Sequence, residues 1–133
     1  MSCSLIEVYT DGATRGNPGP SGLGIAIKEN KQLHTYHFFI DNISNHEAEF
    51  MAVIKALEIC KKNFPGEIIS FRTDSKVVVD IVEKNHTKNK AFLPYLEKIQ
   101  QLIAEFPLFF IKWIPDRENY LADRLAKEAL RNS

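Results

Sequence analysis

Three segments in the first third of the chain have the composition of β-strands. Leu5–Thr10 is rich in β-branched and aromatic residues, and Leu23–Ile27 and Leu33–Ile40 follow it, with the polar residues 28–32 between the last two. Such segments predict strands, and short connections place consecutive strands side by side. We therefore expect a three-stranded meander at the start of the fold.

Glycine and proline are concentrated between the first two predicted strands. Residues 12–24 contain five of the six glycines and two of the six prolines. Both residue types interrupt regular structure and favour turns. This segment is therefore predicted to be a loop.

From Ser44 onwards the apolar residues have the spacing that is typical of a helix. Ser44 and Glu47 have the spacing of a capping box, and apolar residues then recur every three or four positions until Pro65 and Gly66, which predicts a first helix. Glu67–Thr73 then alternates between polar and apolar residues, as a fourth strand would.

The second half of the chain is predicted to be mainly helical, with one further strand. The predicted elements are a helix capped by Ser75 and running through Val82, a helix over 93–103, a strand over Leu108–Ile114, a turn over 115–119 and a helix over Leu121–Arg131. The order β-β-β-α-β-α-α-β-α predicts an α/β fold with a mixed sheet flanked by helices. The length fits one domain, residues 1–133.

Several classes of protein are disfavoured by the composition. Cys3 and Cys60 belong to no Cys/His metal pattern, and the first residues lack the features of a signal peptide. No apolar run approaches the roughly 20 residues of a membrane span. We therefore expect a reduced, cytoplasmic setting and no membrane partner.

The charge balance bears on nucleic-acid binding. Seventeen Lys and Arg residues balance seventeen Asp and Glu residues, so the formal net charge is zero. Domains that bind nucleic acid through bulk positive charge usually run basic, so the balance argues against that class. The sequence also lacks a phosphate-binding P-loop and a G-x-S-x-G nucleophile motif.

Four carboxylates lie near the ends of predicted elements. Asp11 ends the first strand, Asp74 follows the fourth, Glu49 lies near the start of the first helix, and Asp123 near the start of the last. If the first and fourth strands are parallel neighbours, Asp11 and Asp74 emerge at one edge of the sheet, where sites form. Converging carboxylates repel one another unless a cation neutralises them. Oxygen ligands select Mg²⁺ or Mn²⁺, and paired ions are suited to phosphodiester cleavage.

Each carboxylate also has an ordinary structural explanation. Asp11 with Gly12 is a turn signal, Glu49 is an acid favoured near the start of a helix, and Asp123 can pair with Lys127 one turn later. Spacing alone leaves both explanations open.

The residues around these carboxylates resemble the four motifs of the type 1 ribonucleases H. The resemblance covers essentially the whole chain, with the motifs in order and with family-like spacing. The matching segments are Tyr9–Ala13 followed by Gly16–Pro20, Asn45–Leu57, Thr73–Ser75 and Asn119–Ala126.

The resemblance implies both a fold and a reaction. The fold is a five-stranded sheet in the order 3-2-1-4-5 with helices on both faces. The reaction is hydrolysis of the RNA strand of an RNA/DNA hybrid, leaving 5′-phosphate and 3′-hydroxyl ends. Two Mg²⁺ ions, with Mn²⁺ as a possible substitute, would be held by the catalytic carboxylates Asp11, Glu49, Asp74 and Asp123. One ion would activate water and the other would stabilise the departing 3′-oxygen.

The resemblance also implies contacts with the substrate. Asn17, Asn45 and Glu49 would face the RNA sugars, and Ser44 would sit where the family binds a DNA phosphate. Ser75 and Lys88 complete the predicted nucleic-acid-binding set. Turn formation before Pro18 and helix capping are the competing explanations for Asn17 and Ser44.

The chain departs from the family pattern in two segments. The loop 113–119 is several residues shorter than in many bacterial members and has no histidine, and none of the four histidines is placed to fill that role. Asp116 or Glu118 is a possible substitute, or these acids belong to a solvated turn. Slower turnover or a preference for Mn²⁺ would follow from the missing histidine.

The second departure is the absence of the basic protrusion of the family's long form. Residues 84–90 provide only a short basic run, which is either a solvated turn or a weak track for a DNA backbone. An intact set of carboxylates favours the enzyme. A nucleic-acid-binding protein without useful catalysis, or a nuclease for another RNA duplex, remains the alternative. We expect a monomer.

Overall fold

The computed structural model describes residues 5–131 and contains five strands, four α-helices and a short 3₁₀ helix in that range. None of these helices is long and apolar enough to cross a membrane. The strands are β1 (Leu5–Thr14), β2 (Gly19–Glu29), β3 (Gln32–Ile43), β4 (Ile68–Thr73) and β5 (Leu108–Trp113). The helices are α1 (Asn45–Asn63), α2 (Lys76–Lys84), α3 (Leu93–Ile103) and α4 (Tyr120–Arg131), with the 3₁₀ helix over Asp116–Glu118. Cys3 lies outside the described residues.

The five strands form one mixed sheet in the order β3-β2-β1-β4-β5. β1, β2 and β3 are antiparallel, whereas β4 and β5 run parallel to β1. Helices α1 and α3 pack together on one face with α2 beside them, and α4 packs on the other face over β1, β2 and β3. The predicted α/β fold, its strand order and its helices on both faces are confirmed.

The glycine-rich segment is mostly strand, so the loop predicted over residues 12–24 is wrong. Only residues 15–18 separate β1 from β2. The glycines are needed because helices approach the sheet closely: a Cβ at Gly22 would lie 2.0 Å from the carbonyl oxygen of Ala126, and one at Gly24 equally close to that of Ala122. Glycine at these positions therefore permits close packing of α4, rather than marking a turn.

The two faces of β1 have different surroundings. Ile6 and Val8 are fully buried and belong to the main core with Phe50, Leu57 and Phe71. Asp11 and Tyr9 point to the opposite face, the side of α4, because residues alternate along a strand. The apolar core therefore fixes β1 while the other face carries polar side chains.

The carboxyl end of the sheet opens between β1 and β4. Parallel pairing of these strands ends at Tyr9 and Arg72, but β1 continues alongside β2 as far as Thr14. Asp11 therefore lies inside β1, opposite Gly24, and not at the strand end that the sequence predicts. Since β4 stops at Thr73, Asp11 faces the gap that begins there.

Candidate active site

Three aspartates from separate elements meet at the carboxyl end of β1 and β4. Asp11 belongs to β1, Asp74 directly follows β4, and Asp123 lies in the first turn of α4. Asp11 is only 8% exposed and shares a side-chain hydrogen bond with Asp123. The predicted meeting of Asp11 and Asp74 at one edge is therefore present, and Asp123 joins them.

Asp11 is the most perturbed of these acids. Burial first, and then the nearby charges of Asp74 and Asp123, raise its pKa from 3.8 to about 8. Each cause disfavours the carboxylate, because ionisation would place a further negative charge in a poorly solvated cluster. At neutral pH the cluster therefore holds a proton on Asp11, unless a cation takes its place.

Asp123 forms an ion pair with Lys127 and also interacts with Asp11. Its Oδ2 lies 3.0 Å from Nζ of Lys127, the i,i+4 pair that the sequence suggests, and its side chain is 42% exposed. The hydrogen bond to Asp123 also raises the pKa of Lys127. This exposed ion pair is weak, so it does not prevent Asp123 from also interacting with Asp11.

Glu49 lies on α1 and is held by hydrogen bonds. The hydroxyl of Ser75 donates to its Oε1 at 3.1 Å, and Nδ1 of His46 lies 3.0 Å from the same oxygen. Burial raises the pKa of Glu49, and the contacts with His46 and Ser75 oppose that rise. Because the charge of Asp74 also acts on Glu49, Glu49 is next to the aspartate cluster.

The four carboxylates have the ligand chemistry that a hard divalent cation prefers, although their side chains are not arranged around one metal position. Among residues 5–131, no three His, Cys, Asp or Glu side chains already surround a common metal position. The donor set nevertheless consists of oxygens, which Mg²⁺ and Mn²⁺ prefer. The repulsion that raises the pKa of Asp11 is also what a cation would relieve, so the residues fit such an ion.

Asn119 is a structural member of the site that sequence reasoning missed. It is 1% exposed, and its Nδ2 donates to the carbonyl of Thr10 at 2.9 Å and to Oδ1 of Asp74 at 3.2 Å. The backbone carbonyl of Asn119 accepts from the backbone N–H of Asp123. The buried side chain of Asn119 thus connects β1 with the end of β4, and the backbone of the same residue bonds the start of α4.

The predicted substrate residues of the β1–β2 loop and α1 lie close together. Asn17 Oδ1 accepts from the backbone N–H of Asn45 at 2.9 Å, and both residues are exposed. Ser44 caps α1 in a complete capping box with Glu47. Ser44 therefore has the capping role that competed with substrate binding. The exposed side chain of Asn17 instead joins the β1–β2 loop to the start of α1.

Ser75 and Lys88 have contrasting environments. Ser75 is 6% exposed, and its hydroxyl donates to Glu49 while it caps α2 by accepting from the N–H of Val78. Lys88 is exposed on the connection between α2 and α3. The structure therefore uses Ser75 to position Glu49 and leaves Lys88 free to meet a partner.

The two acids of the short loop before α4, Asp116 and Glu118, line different cavities. Asp116 lines a cleft with Glu49 and Asp74, whereas Glu118 lines another cavity with Tyr9 and Lys28. Of the two acids suggested as substitutes for a loop histidine, Asp116 is the one on the side of the carboxylates.

His46 is a second contact that sequence reasoning missed, although its i,i+3 spacing from Glu49 was a usable signal. Its ring also meets the ring of Phe92 edge-on at 5.9 Å. The histidine nearest to the carboxylates therefore comes from α1 and not from the loop before α4.

Comparison with known proteins agrees with the fold and with the motifs. The family model described as reverse transcriptase-like matches residues 9–129. The putative hydrolase EbsB of Enterococcus faecalis is 41% identical over 96% of this chain and 95% of its own length. A ribonuclease H of Trichodesmium erythraeum is 35% identical over 93% of this chain and 87% of its own.

A solved structure, LC11-RNase H1 in complex with an RNA/DNA hybrid, superposes with a TM-score of 0.89 at 30% identity, covering 96% of this chain and 97% of the other. The resemblance read from the four motifs is thereby confirmed over nearly the whole chain. The chain belongs to the reverse transcriptase-like family and, within it, to the type 1 ribonucleases H.

Proposed function

We propose that this protein is a ribonuclease H that hydrolyses the RNA strand of RNA/DNA hybrids, leaving 5′-phosphate and 3′-hydroxyl ends. The observation that carries the proposal is the convergence of Asp74 and Asp123 on the buried carboxylate of Asp11 at the carboxyl end of β1 and β4. Membership of the family supports the reaction class, and the hybrid bound by LC11-RNase H1 supports the substrate.

Two divalent ions, Mg²⁺ or Mn²⁺, would be held by Asp11, Glu49, Asp74 and Asp123, and when bound they would supply activation of water and stabilisation of the leaving 3′-oxygen. The protein's own contribution is positioning. Asn119 fixes Asp74 relative to β1, and Ser75 with His46 orients Glu49. Burial of Asp11 strengthens its interactions with the charges beside it, because the protein interior screens charge less than water does.

We propose that the exposed residues Asn17 and Asn45, near the carboxylates, recognise the hybrid. Asn17 and Asn45 are joined by a hydrogen bond and present side-chain amides to solvent, which suits the 2′-hydroxyl groups of an A-form minor groove. Shape and 2′-hydroxyls are shared with duplex RNA, so substrate choice must be tested directly.

Turnover is expected to be slow or to prefer Mn²⁺, because the loop 113–119 supplies no histidine. Asp116 is the group placed to assist in its absence, since it lines the cleft with Glu49 and Asp74. Rapid cleavage in Mg²⁺ alone would contradict this part of the proposal.

Affinity for the hybrid is expected to be modest. Lys88 and its basic neighbours in residues 84–90 are exposed but few, so few phosphate contacts and a shallow dependence on salt should result. A log–log slope of about −6 or steeper would contradict this expectation.

The proposal includes a single domain over residues 1–133 that acts as a monomer in the cytoplasm. All four carboxylates come from one chain, which supports a site that needs no partner subunit. Cys60 is a free, buried thiol, as is usual for proteins of reducing compartments.

The decisive experiment compares labelled RNA/DNA hybrid, duplex RNA and duplex DNA, each in Mg²⁺ and in Mn²⁺, for the wild type and for Asp74→Asn. Asp80→Asn is the matched control, because Asp80 is an exposed acid of α2 a few residues away. We expect hybrid cleavage that is lost in Asp74→Asn and kept in Asp80→Asn. Binding of hybrid without cleavage of any substrate would instead indicate a protein that keeps the fold without useful catalysis.

A further inference from the structure

A cleft of about 450 Å³ lies beside the carboxylates, between the start of α2 and the end of β5. Its lining includes Glu49 and Asp74 together with the indole of Trp113, which lies beside Asp74. Lys76 and Asp116 also line the cleft. The cleft is therefore continuous with the proposed reaction site but has an aromatic wall that the reaction itself does not require.

Trp113 is fixed in place although its side chain is largely open to solvent. It is 42% exposed, and its Nε1 donates a hydrogen bond of 3.1 Å to the backbone carbonyl of Asp74. An indole usually loses exposed area by packing in the core. Here the hydrogen bond instead holds the Trp113 ring next to Asp74.

Lys76 provides a positive charge beside the Trp113 ring. Its Nζ lies 4.8 Å from the centre of the Trp113 ring, and in the described part of the chain Lys76 forms no ion pair within 4.0 Å. The ammonium group is therefore held near the ring by a cation–π contact and is available to an anion.

An aromatic face beside an unpaired ammonium group matches the chemistry of a nucleotide. Aromatic side chains pack against bases and sugars with little sequence preference, and lysine binds phosphate as a point charge. A nucleotide in this cleft would touch Glu49 and Asp74, which are proposed to act at the cleaved bond. By covalent continuity, it would belong to the strand that is cut.

We propose that Trp113 and Lys76 form a subsite for the nucleotide adjacent to the cleaved phosphodiester, with the indole packed against its sugar or base and Lys76 on its phosphate. This inference rests on the proposed function, because the cleft shares Glu49 and Asp74 with the reaction site. The competing explanation is that Trp113 only braces the carbonyl of Asp74 through its Nε1–H.

Intrinsic fluorescence tests the subsite without altering it, because Trp113 is the protein's single tryptophan. Asp123→Asn, which is outside the cleft lining, is titrated with a fluorescein-labelled RNA/DNA hybrid in Mg²⁺ so that cleavage does not interfere. Anisotropy of the label reports binding, and tryptophan emission reports the environment of Trp113. We expect emission to change and to saturate at the same hybrid concentration as the anisotropy.

Two substitutions separate packing from bracing. Trp113→Leu removes the aromatic face and should weaken binding about 5- to 150-fold, the range for loss of one base–aromatic contact. Trp113→Phe keeps an aromatic face but lacks the N–H donor, and should bind nearly as well as wild type. A third substitution, Lys76→Gln, tests the phosphate contact. It should reduce the steepness of the plot of log binding constant against log salt concentration by about one. Thermal unfolding of each variant verifies that the fold is kept.

The possible failures are distinguishable. Binding seen by anisotropy with no change in tryptophan emission would overturn the subsite but leave the proposed function intact. Equal losses of affinity in Trp113→Phe and Trp113→Leu would also overturn it, in favour of the brace. If anisotropy shows no binding of hybrid at all, the proposed function fails and the subsite fails with it.

Discussion

Replacement of Asp11 by asparagine should stabilise the metal-free protein while it abolishes catalysis. Asp11 is 8% exposed, and burial together with the charges of Asp74 and Asp123 raises its pKa to about 8. A carboxyl whose pKa is higher in the folded state than in the unfolded state opposes folding wherever the unfolded chain ionises it. An amide of the same shape does not ionise and removes this cost.

The size and sign of the effect follow from the two pKa values. Below about pH 4 the carboxyl is protonated in both states and contributes nothing. Between 3.8 and about 8 the unfolded state releases the proton and the folded state keeps it, so stability falls by about 1.4 kcal/mol per pH unit from this group. The accumulated cost is on the order of 4 kcal/mol at pH 7.

The measured increase in the free energy of unfolding of Asp11→Asn should be smaller than this cost. The new amide must find hydrogen-bond partners among Asp74, Asp123 and the backbone, and imperfect pairing of a buried polar group costs about 1–3 kcal/mol. We therefore expect Asp11→Asn to raise the free energy of unfolding by on the order of 2 kcal/mol at pH 7 in the absence of divalent cations.

Urea denaturation in EDTA at pH 5, 6, 7 and 8 measures the effect, with Asp116→Asn as the control because Asp116 is exposed. The difference between Asp11→Asn and wild type should grow from pH 5 towards pH 8, whereas the control should differ from wild type by the same small amount throughout. A difference for Asp11→Asn that does not vary with pH would refute the raised pKa. A loss of stability at every pH would refute the view that repulsion outweighs hydrogen bonding.

Three further substitutions test the packing and the links of the site. Asn119→Ala removes the donor to Asp74 and should lower the free energy of unfolding by about 1–3 kcal/mol in urea melts; unchanged stability would mean that the hydrogen bonds contribute little. Gly24→Ala should destabilise by about 1–3 kcal/mol or more, because its Cβ would meet the carbonyl of Ala122 at 2.0 Å, and a thermal melt equal to wild type would contradict that close approach. Ser44→Ala should cost about 1 kcal/mol through loss of the N-cap, and Ser44→Asp, which can still cap, should recover most of it in the same assay.

The sequence predicted the elements well where local patterning determines them. The segments predicted as strands from their composition or alternation are strands in the structure, and Ser44 and Ser75 cap α1 and α2 as their positions indicate. The error over residues 12–24 has a tertiary cause. Gly22 and Gly24 allow the backbone of α4 to approach β2, and a local pattern cannot show which helix will pack on a strand.

The site was predicted by residue identity but not by environment. The motifs marked Asp11, Asp74 and Asp123, yet only the fold shows that Asp11 is buried and Asp123 half exposed. Asn119 was missed because the partners of its side chain are distant along the chain. Asn119 and Asp74 are 45 positions apart, so no spacing rule relates them.

The zero net charge acquires a different meaning once the carboxylates are located. Four of the seventeen acids gather at one end of the sheet, and without them the chain carries about +4. The folded protein already moves towards that value, because burial and its acidic neighbours raise the pKa of Asp11 to about 8, so that this residue holds a proton at neutral pH. Cations bound at the cluster would release that proton and replace it with larger positive charge. A hybrid would then meet a protein whose remaining charge is positive, with Lys76 and Lys88 both exposed, although the sum over the chain is zero. Attraction of the substrate would therefore depend on the cluster being neutralised first, since the basic residues alone are too few to outweigh it.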